Sequence, residues 1–170
     1  MKLSLKQSCV RSWRRTDAQA LARHANNRNI WLNLRDLFPH PYTLADAETY
    51  IDSALSDEVS TRFCIEVNGE AAGSIGFILQ SDVERLSAEI GYFLGESFWG
   101  RGIMSEVLKA VTTYAIETHG LVRVYAVPYA WNPASCRVLE KAGYTLEGRL
   151  RKSIIKDGKK TDQHLYARVV

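Results

Sequence analysis

Helical periodicity is strongest after residue 102. Ile103, Met104, Val107, Leu108, Val111, Tyr114 and Ala115 recur on one face and predict a long helix that Gly120 stops. Upstream, residues 84–94 alternate instead, with Ala88, Ile90, Tyr92 and Leu94 on one side and Ser87, Glu89, Gly91 and Phe93 on the other, as in a strand. Leu121 to Val127 reads as a further strand ended by Pro128, so 84–127 is a strand, helix, strand unit. Its crossover is expected to be right-handed and its strands parallel. Before it, residues 6–12 alternate as a first strand, and Thr16 or Asp17 caps a short helix to His24. Asn26 to Tyr42, broken by Pro39 and Pro41, reads as a loop or broken helix. Thr43 caps a helix whose Ala47, Tyr50, Ile51 and Ala54 share a face. Residues 61–67 and 71–79 flank Asn68 and Gly69, a strong hairpin signal, and a turn at Ser81 and Asp82 keeps the next strand antiparallel. Asn132 and Pro133 start a helix to about Ala142, stopped by Gly143, and residues 144–156 and 161–169 form a hairpin around Asp157 and Gly158. No repeat or linker is visible, so residues 1–170 are expected to be one domain.

Composition narrows the class without changing this pattern. With 46% hydrophobic and 24% charged residues the chain is not a disordered one. No apolar run approaches about 18 residues, so no membrane span is expected. The N-terminal stretch lacks an apolar core and a cleavage site, so no signal peptide is expected and the cytoplasm is the expected location. Cys9, Cys64 and Cys136 lack metal or dithiol spacing and read as reduced thiols, with no metal site; an inert, partly buried thiol is favoured for each over a catalytic nucleophile. Charge is uneven: eight Lys and Arg face one Asp in residues 1–35, two face twelve acids in 36–99, and twelve face six in 100–170. The basic C-terminal portion suits an anionic ligand, and solvated surface charge explains it almost as well.

The junction between alternating strand and periodic helix carries the chemistry. Gly100, Arg101 and Gly102 place a flexible turn at a helix N-terminus, where unpaired N–H groups and the helix dipole favour phosphate oxygens. Two nucleotide motifs nearly match. Gly95 and Gly100 have P-loop spacing, but Arg101 and Gly102 stand where Lys and Ser or Thr are needed. Gly100 and Gly102 begin a dinucleotide fingerprint, but Ser105 replaces its third glycine and the next strand carries no acid for a ribose.

The turn WGRGIMSE followed by NPASCRVLEKAGY resembles, in residues and order, the GNAT acetyltransferases, and among them the RimJ/RimL-like ribosomal-protein N-acetyltransferase branch. The resemblance runs from residue 6 to the end. It implies a GNAT-like α/β (α+β) fold: a mixed, largely antiparallel twisted sheet of about seven strands with a splayed parallel pair and helices on both faces. It also implies acetyl-CoA as cosubstrate, its pyrophosphate on the backbone of Trp99, Gly100, Arg101, Gly102, Ile103, Met104 and Ser105. The family pattern has Gln or Arg at the position of Trp99 and Gly or Ala at that of Met104, so the backbone cradle carries over and the first side-chain contact does not. Phe93 and Leu94 would pair with the pantetheine amides, and Asn132 would meet the same arm; the alternative for Asn132 is a plain helix cap.

Acyl transfer to an amine needs a neutral nucleophile, a stabilised oxyanion and a proton for the departing thiolate. Glu89 is the candidate base, directly or through water, with an ion pair to a residue such as Arg62 as its alternative. The Leu94 N–H is the candidate oxyanion donor. Many GNAT members protonate the thiolate with a Tyr at the position of Leu139; in the resembled branch a Ser maps onto Ser135, whose alternative is a hydroxyl bonded to its own helix. Arg101, Arg137 and Lys141 are candidates for CoA phosphates or for ordinary surface charge. The resemblance puts acceptor binding in the aromatic loop, at Trp31, Arg35, Phe38, His40 and Tyr42, with packing over the sheet favoured for Trp31 and Phe38. The expected function is acetyl transfer to a primary amine, on a protein N-terminus or a small molecule. The alternatives are a catalytically silent CoA-binding module, and an RNA- or ribosome-associated protein using six basic residues between Arg149 and Lys160. The expected partner is the amine acceptor, without membrane; a nucleic-acid partner is not favoured, and assembly as a homodimer stays open.

Overall fold

A computed structural model describes all 170 residues. Its strands are β1 (Lys2–Ser4), β2 (Cys9–Arg11), β3 (Arg62–Val67), β4 (Glu70–Leu79), β5 (Ser87–Leu94), β6 (Arg123–Ala126), β7 (Thr145–Lys156) and β8 (Lys159–Val169). Its helices are α1 (Ala18–Ala25), α2 (Arg28–Trp31), α3 (Leu44–Ser56), α4 (Ile103–His119) and α5 (Pro133–Lys141). The strands form one sheet in the order β1-β2-β3-β4-β5-β6-β8-β7. The sheet thus has eight strands where the sequence pattern predicts seven. The extra one, β1, pairs antiparallel with β2 across a turn closed by Leu5 N–H to Ser8 O, 2.9 Å. Three residues are too few for alternation to be read. No helix is long and apolar enough to cross a membrane.

The chain divides into two compact units, one of residues 1–76 and 92–107, the other of residues 77–91 and 108–170. In the first, the Thr43 hydroxyl accepts the Asp46 N–H and the Asp46 carboxylate accepts the Thr43 N–H, a reciprocal cap that starts α3 where the sequence predicts it. Ala47, Ile51 and Ala54 of α3 pack with Leu21 and Ala25 of α1 and with Trp13. Between β3 and β4, Asn68 and Gly69 have φ of 52° and 83°, the left-handed pair a two-residue hairpin turn requires. One detail differs from expectation. Asp17 does not cap α1; its carboxylate chelates the buried Arg11 guanidinium at 2.8 and 2.9 Å and takes the Arg14 N–H, and a 3-10 turn at Arg15–Asp17 leads into the helix. The aromatic loop contains a short helix, α2, capped by Asn27, whose Oδ1 accepts the N–H groups of Asn29 and Ile30.

In the second unit, β5 and β6 run parallel with Ser87, Ala88 and Glu89 opposite Arg123, Val124 and Tyr125. The pairing ends at Glu89, while β5 continues to Leu94. Leu108, Val111, Ala115, Val124 and Leu139 are fully buried, which accounts for the periodic face of α4 and one side of α5. Asp157 and Gly158, with φ of 51° and 72°, turn β7 into β8 as the sequence predicts.

Candidate active site

The glycine turn lies wholly in the first unit. Gly100 and Gly102 have φ of 75° and 78°, a region open to glycine at little cost. A Cβ built on either would meet nothing within 4 Å, so both positions face open space and need glycine for conformation, not for packing. The first one-turn bond of α4 runs from Glu106 N–H to Gly102 O, 3.3 Å. The amides of Ile103, Met104 and Ser105 therefore have no acceptor within the helix, as an anion cradle requires. Ile103 and Met104 are buried, so these two residues offer the turn backbone only. The Trp99 indole donates to Leu94 O at 2.6 Å, and this folds the chain between strand and turn into a fixed loop. Arg101 is exposed; its guanidinium donates to Ser97 O at 3.0 Å and lies over the Phe98 ring, 5.5 Å from the centroid.

The strand end before the turn is equally constrained. The Gly95 N–H donates to Ala72 O at 2.7 Å. A Cβ on Gly73 would fall 2.3 Å from Phe93 O, so β4 must present a glycine where the β5 backbone passes. The predicted acceptor segment belongs to this unit too. Phe38 stacks on Tyr42 at 4.8 Å and meets the Phe93 ring edge-on at 5.4 Å, and Trp31 lies 5.6 Å from His40. Tyr42 is buried, and burial pushes its hydroxyl pKa up, so it stays neutral. Phe38 packs on the core as expected; Arg35 and His40 are exposed.

The remaining candidates are in the second unit. Glu89, half-buried, occupies the last position at which β5 pairs with β6, opposite Tyr125. Arg62, which belongs to the first unit, is engaged by Asp57, Nε to Oδ2 at 2.9 Å and Nη2 to Oδ1 at 2.8 Å. Asn132 caps α5: its Oδ1 accepts the Ser135 N–H at 3.2 Å. Ser135 is half-buried in the first turn of that helix, and Arg137 and Lys141 are exposed one turn apart. Leu139, at the position of the family tyrosine, is completely buried.

Two features had no sequence signal. The Cys136 thiol lies 3.5 Å from His164 Nδ1, a meeting set by the register of β8, and burial raises its pKa. Cys64 is pushed up to about 12 by burial, so the inert-thiol expectation holds for it. All three cysteines are free, and no group of acidic, His and Cys side chains could hold a metal ion. The other feature is Glu96, between strand end and turn. It binds the side-chain amides of Asn27 and Asn29 at 2.6 and 3.0 Å, residues far upstream whose partner periodicity cannot reveal.

A strand, glycine turn, helix and capped second helix in this order match the family model for the acetyltransferase (GNAT) domain over residues 8–145, through both units. The chain belongs to the GNAT acetyltransferase family. An uncharacterized N-acetyltransferase of Bacillus subtilis, YoaA, is 38% identical over 98 residues, 58% of this chain and 55% of that protein. The Escherichia coli K12 ribosomal-protein-serine acetyltransferase is 36% identical over 98 residues, 56% of this chain and 55% of that protein. The matches to the first curated relatives thus span about half of those proteins' length, 55% and 45%. Among solved structures, RimL, a ribosomal L7/L12 alpha-N-protein acetyltransferase in complex with coenzyme A, shares the fold with a TM-score of 0.88 at 24% identity, covering 100% of this chain and 98% of its own. Mycobacterium smegmatis RimJ, in complex with CoA-disulfide, gives 0.85 at 23%, covering 96% and 82%. The GNAT-like fold expected from the sequence is borne out.

Proposed function

We propose that this chain is a single-domain acetyl-CoA-dependent N-acetyltransferase of the RimJ/RimL-like branch. The observation that carries the reading is the Gly100–Gly102 turn: two left-handed glycines over open space, followed by three amides without helical acceptors. These suit a pyrophosphate, and Phe93 and Leu94 lie just before them on β5 beyond the end of its pairing with β6, where an extended amide chain takes backbone bonds. Acetyl-CoA supplies a thioester carbonyl already activated toward amines.

The chain's residues supply the rest. Glu89 takes a proton from the ammonium acceptor, directly or through a water, so that a neutral amine attacks. The Leu94 N–H donates to the oxygen as it becomes anionic. The C–N bond forms, the nitrogen gives up its second proton to solvent, the C–S bond breaks, and the Ser135 hydroxyl protonates the sulfur and is refilled from solvent. Arg137 and Lys141 add positive charge for the CoA phosphates. The segment of Trp31, Arg35, Phe38, His40 and Tyr42 forms the acceptor side, with Arg35 and His40 exposed and Phe38 and Tyr42 anchoring it to the core, and the acceptor is a primary amine, of a protein N-terminus or a small molecule. Relatives named for both classes exist: the Escherichia coli ribosomal-protein-serine acetyltransferase, and spermidine N(1)-acetyltransferase of the same species, 24% identical over 142 residues, 83% of this chain. The reading puts the enzyme in the cytoplasm and gives nucleic acid no role.

The buried Leu139, in place of a tyrosine, favours one competing reading, a CoA-binding module without turnover. Thiol release from acetyl-CoA over a panel of amines and N-terminal peptides separates the two. Amine-dependent release supports the enzyme; CoA binding without release for any acceptor supports the silent module.

A further inference from the structure

We propose that Glu96 is a positioning residue that couples cosubstrate occupancy of the 99–105 turn to the acceptor segment 27–42, an inference that rests on the acetyl-CoA reading above. Glu96 opens a 3-10 turn, Glu96–Phe98, immediately before Trp99. Its Oε2 accepts the Asn27 side-chain N–H at 2.6 Å and its Oε1 that of Asn29 at 3.0 Å. Both carboxylate oxygens are thus spent on the two residues that begin the acceptor segment, in charge-assisted bonds stronger than neutral ones. Asn27 uses its own Oδ1 to cap α2, so a pull on its amide is a pull on that helix.

A second grip lies three residues earlier, where the Phe93 ring meets Phe38, which stacks on Tyr42. The chain between the grips is itself held at two points. Gly95 is held by Ala72 O, and a Cβ there would lie 2.6 Å from His24 Nδ1. The Trp99 indole is tied back to Leu94 O. Residues 93–99 are therefore a braced piece, with the acceptor segment attached at 93 and 96 and the phosphate turn beginning at 99. Phosphates that fix the turn fix the Glu96 carboxylate, and with it the start of α2. The coupling works in both directions, because linkage between two binding events is reciprocal. Glu96 itself is exposed, so its bonds open more readily than the core does and report on local order, not on global stability.

The test is hydrogen–deuterium exchange with and without saturating CoA, on the wild type, Glu96→Ala, Glu96→Gln and Asn29→Ala, alongside calorimetric CoA affinity. CoA should slow exchange across residues 27–42 of the wild type by about threefold or more. That slowing should vanish in Glu96→Ala, shrink in Asn29→Ala, and return in part in Glu96→Gln, whose amide oxygen still accepts one of the two bonds, while CoA affinity stays within about threefold throughout. CoA binding that leaves 27–42 unchanged in the wild type, or equal slowing in Glu96→Ala, overturns the coupling. Absence of CoA binding to the wild type overturns the cosubstrate reading, and the coupling with it; the calorimetric trace tells the two failures apart. If Glu96→Ala does not fold, Asn29→Ala, which keeps the α2 cap, decides.

Discussion

Ser135 and Asn132 show how one side chain serves structure and is proposed for chemistry. The Asn132 oxygen accepts the Ser135 amide, and that cap fixes the first turn of α5, on which the half-buried Ser135 side chain sits. Ser135→Ala is expected to lower kcat by about 10²-fold while CoA affinity, read by calorimetry, stays unchanged. Unchanged kcat would remove Ser135 from the proton transfer. At Gly102 the backbone itself is tested. Alanine fits the open space but not the φ of 78°, so Gly102→Ala should cost about 1–2 kcal/mol in thermal stability and weaken CoA binding about tenfold, worth about 1.4 kcal/mol. Buried tyrosine chemistry is a separate matter: the Tyr144 hydroxyl, its pKa pushed up to about 12 by burial, meets the Thr112 hydroxyl at 2.7 Å. Since Thr112 also donates to Leu108 O, Tyr144→Phe should cost only about 1 kcal/mol in denaturant unfolding.

At the scale of elements, the terminal hairpin offers a pH test. The Asp162 carboxylate accepts the Lys152 N–H at 2.7 Å and the Arg149 Nε–H at 2.5 Å, where β7 bulges between Leu150 and Ile154. These bonds hold its pKa below the ordinary carboxylate value. A depressed carboxyl stabilises the fold above its unfolded pKa of about 4 and loses that contribution as pH falls through the folded value. The protection of amides around the bulge, measured against their intrinsic exchange rate at each pH, should therefore fall on acidification below about pH 4, and Asp162→Asn should show the lower protection already at neutral pH. Equal exchange in both proteins at neutral pH would show that other bonds hold the bulge. Elements bounded by turn and cap residues were the legible ones. Asn68-Gly69, Thr43, Asn132-Pro133, Gly120 and Asp157-Gly158 each announce a local conformation that needs no distant partner. β1 was not legible, because a three-residue strand exists only through its pairing with β2. The buried Arg11–Asp17 pair was hidden likewise, since Asp17 serves a cap or a guanidinium equally well in sequence.

At the scale of the whole molecule, the WGRGIMSE turn and the NPASCRVLEKAGY helix were enough to indicate the family, because the backbone conformation they encode is local. The contacts between the aromatic segment and the chain just before that turn were not encoded locally. Asn27, Asn29 and Phe38 meet Glu96 and Phe93 only after the chain has folded. The central claim is that this GNAT chain transfers acetyl groups to amines. Its most direct measurement is thiol release from acetyl-CoA by the purified protein across amines and N-terminal peptides, with mass analysis of each acceptor. Amine-dependent release with one acetyl group gained by the acceptor is the predicted result; no release and no acetylated product with any acceptor would contradict it.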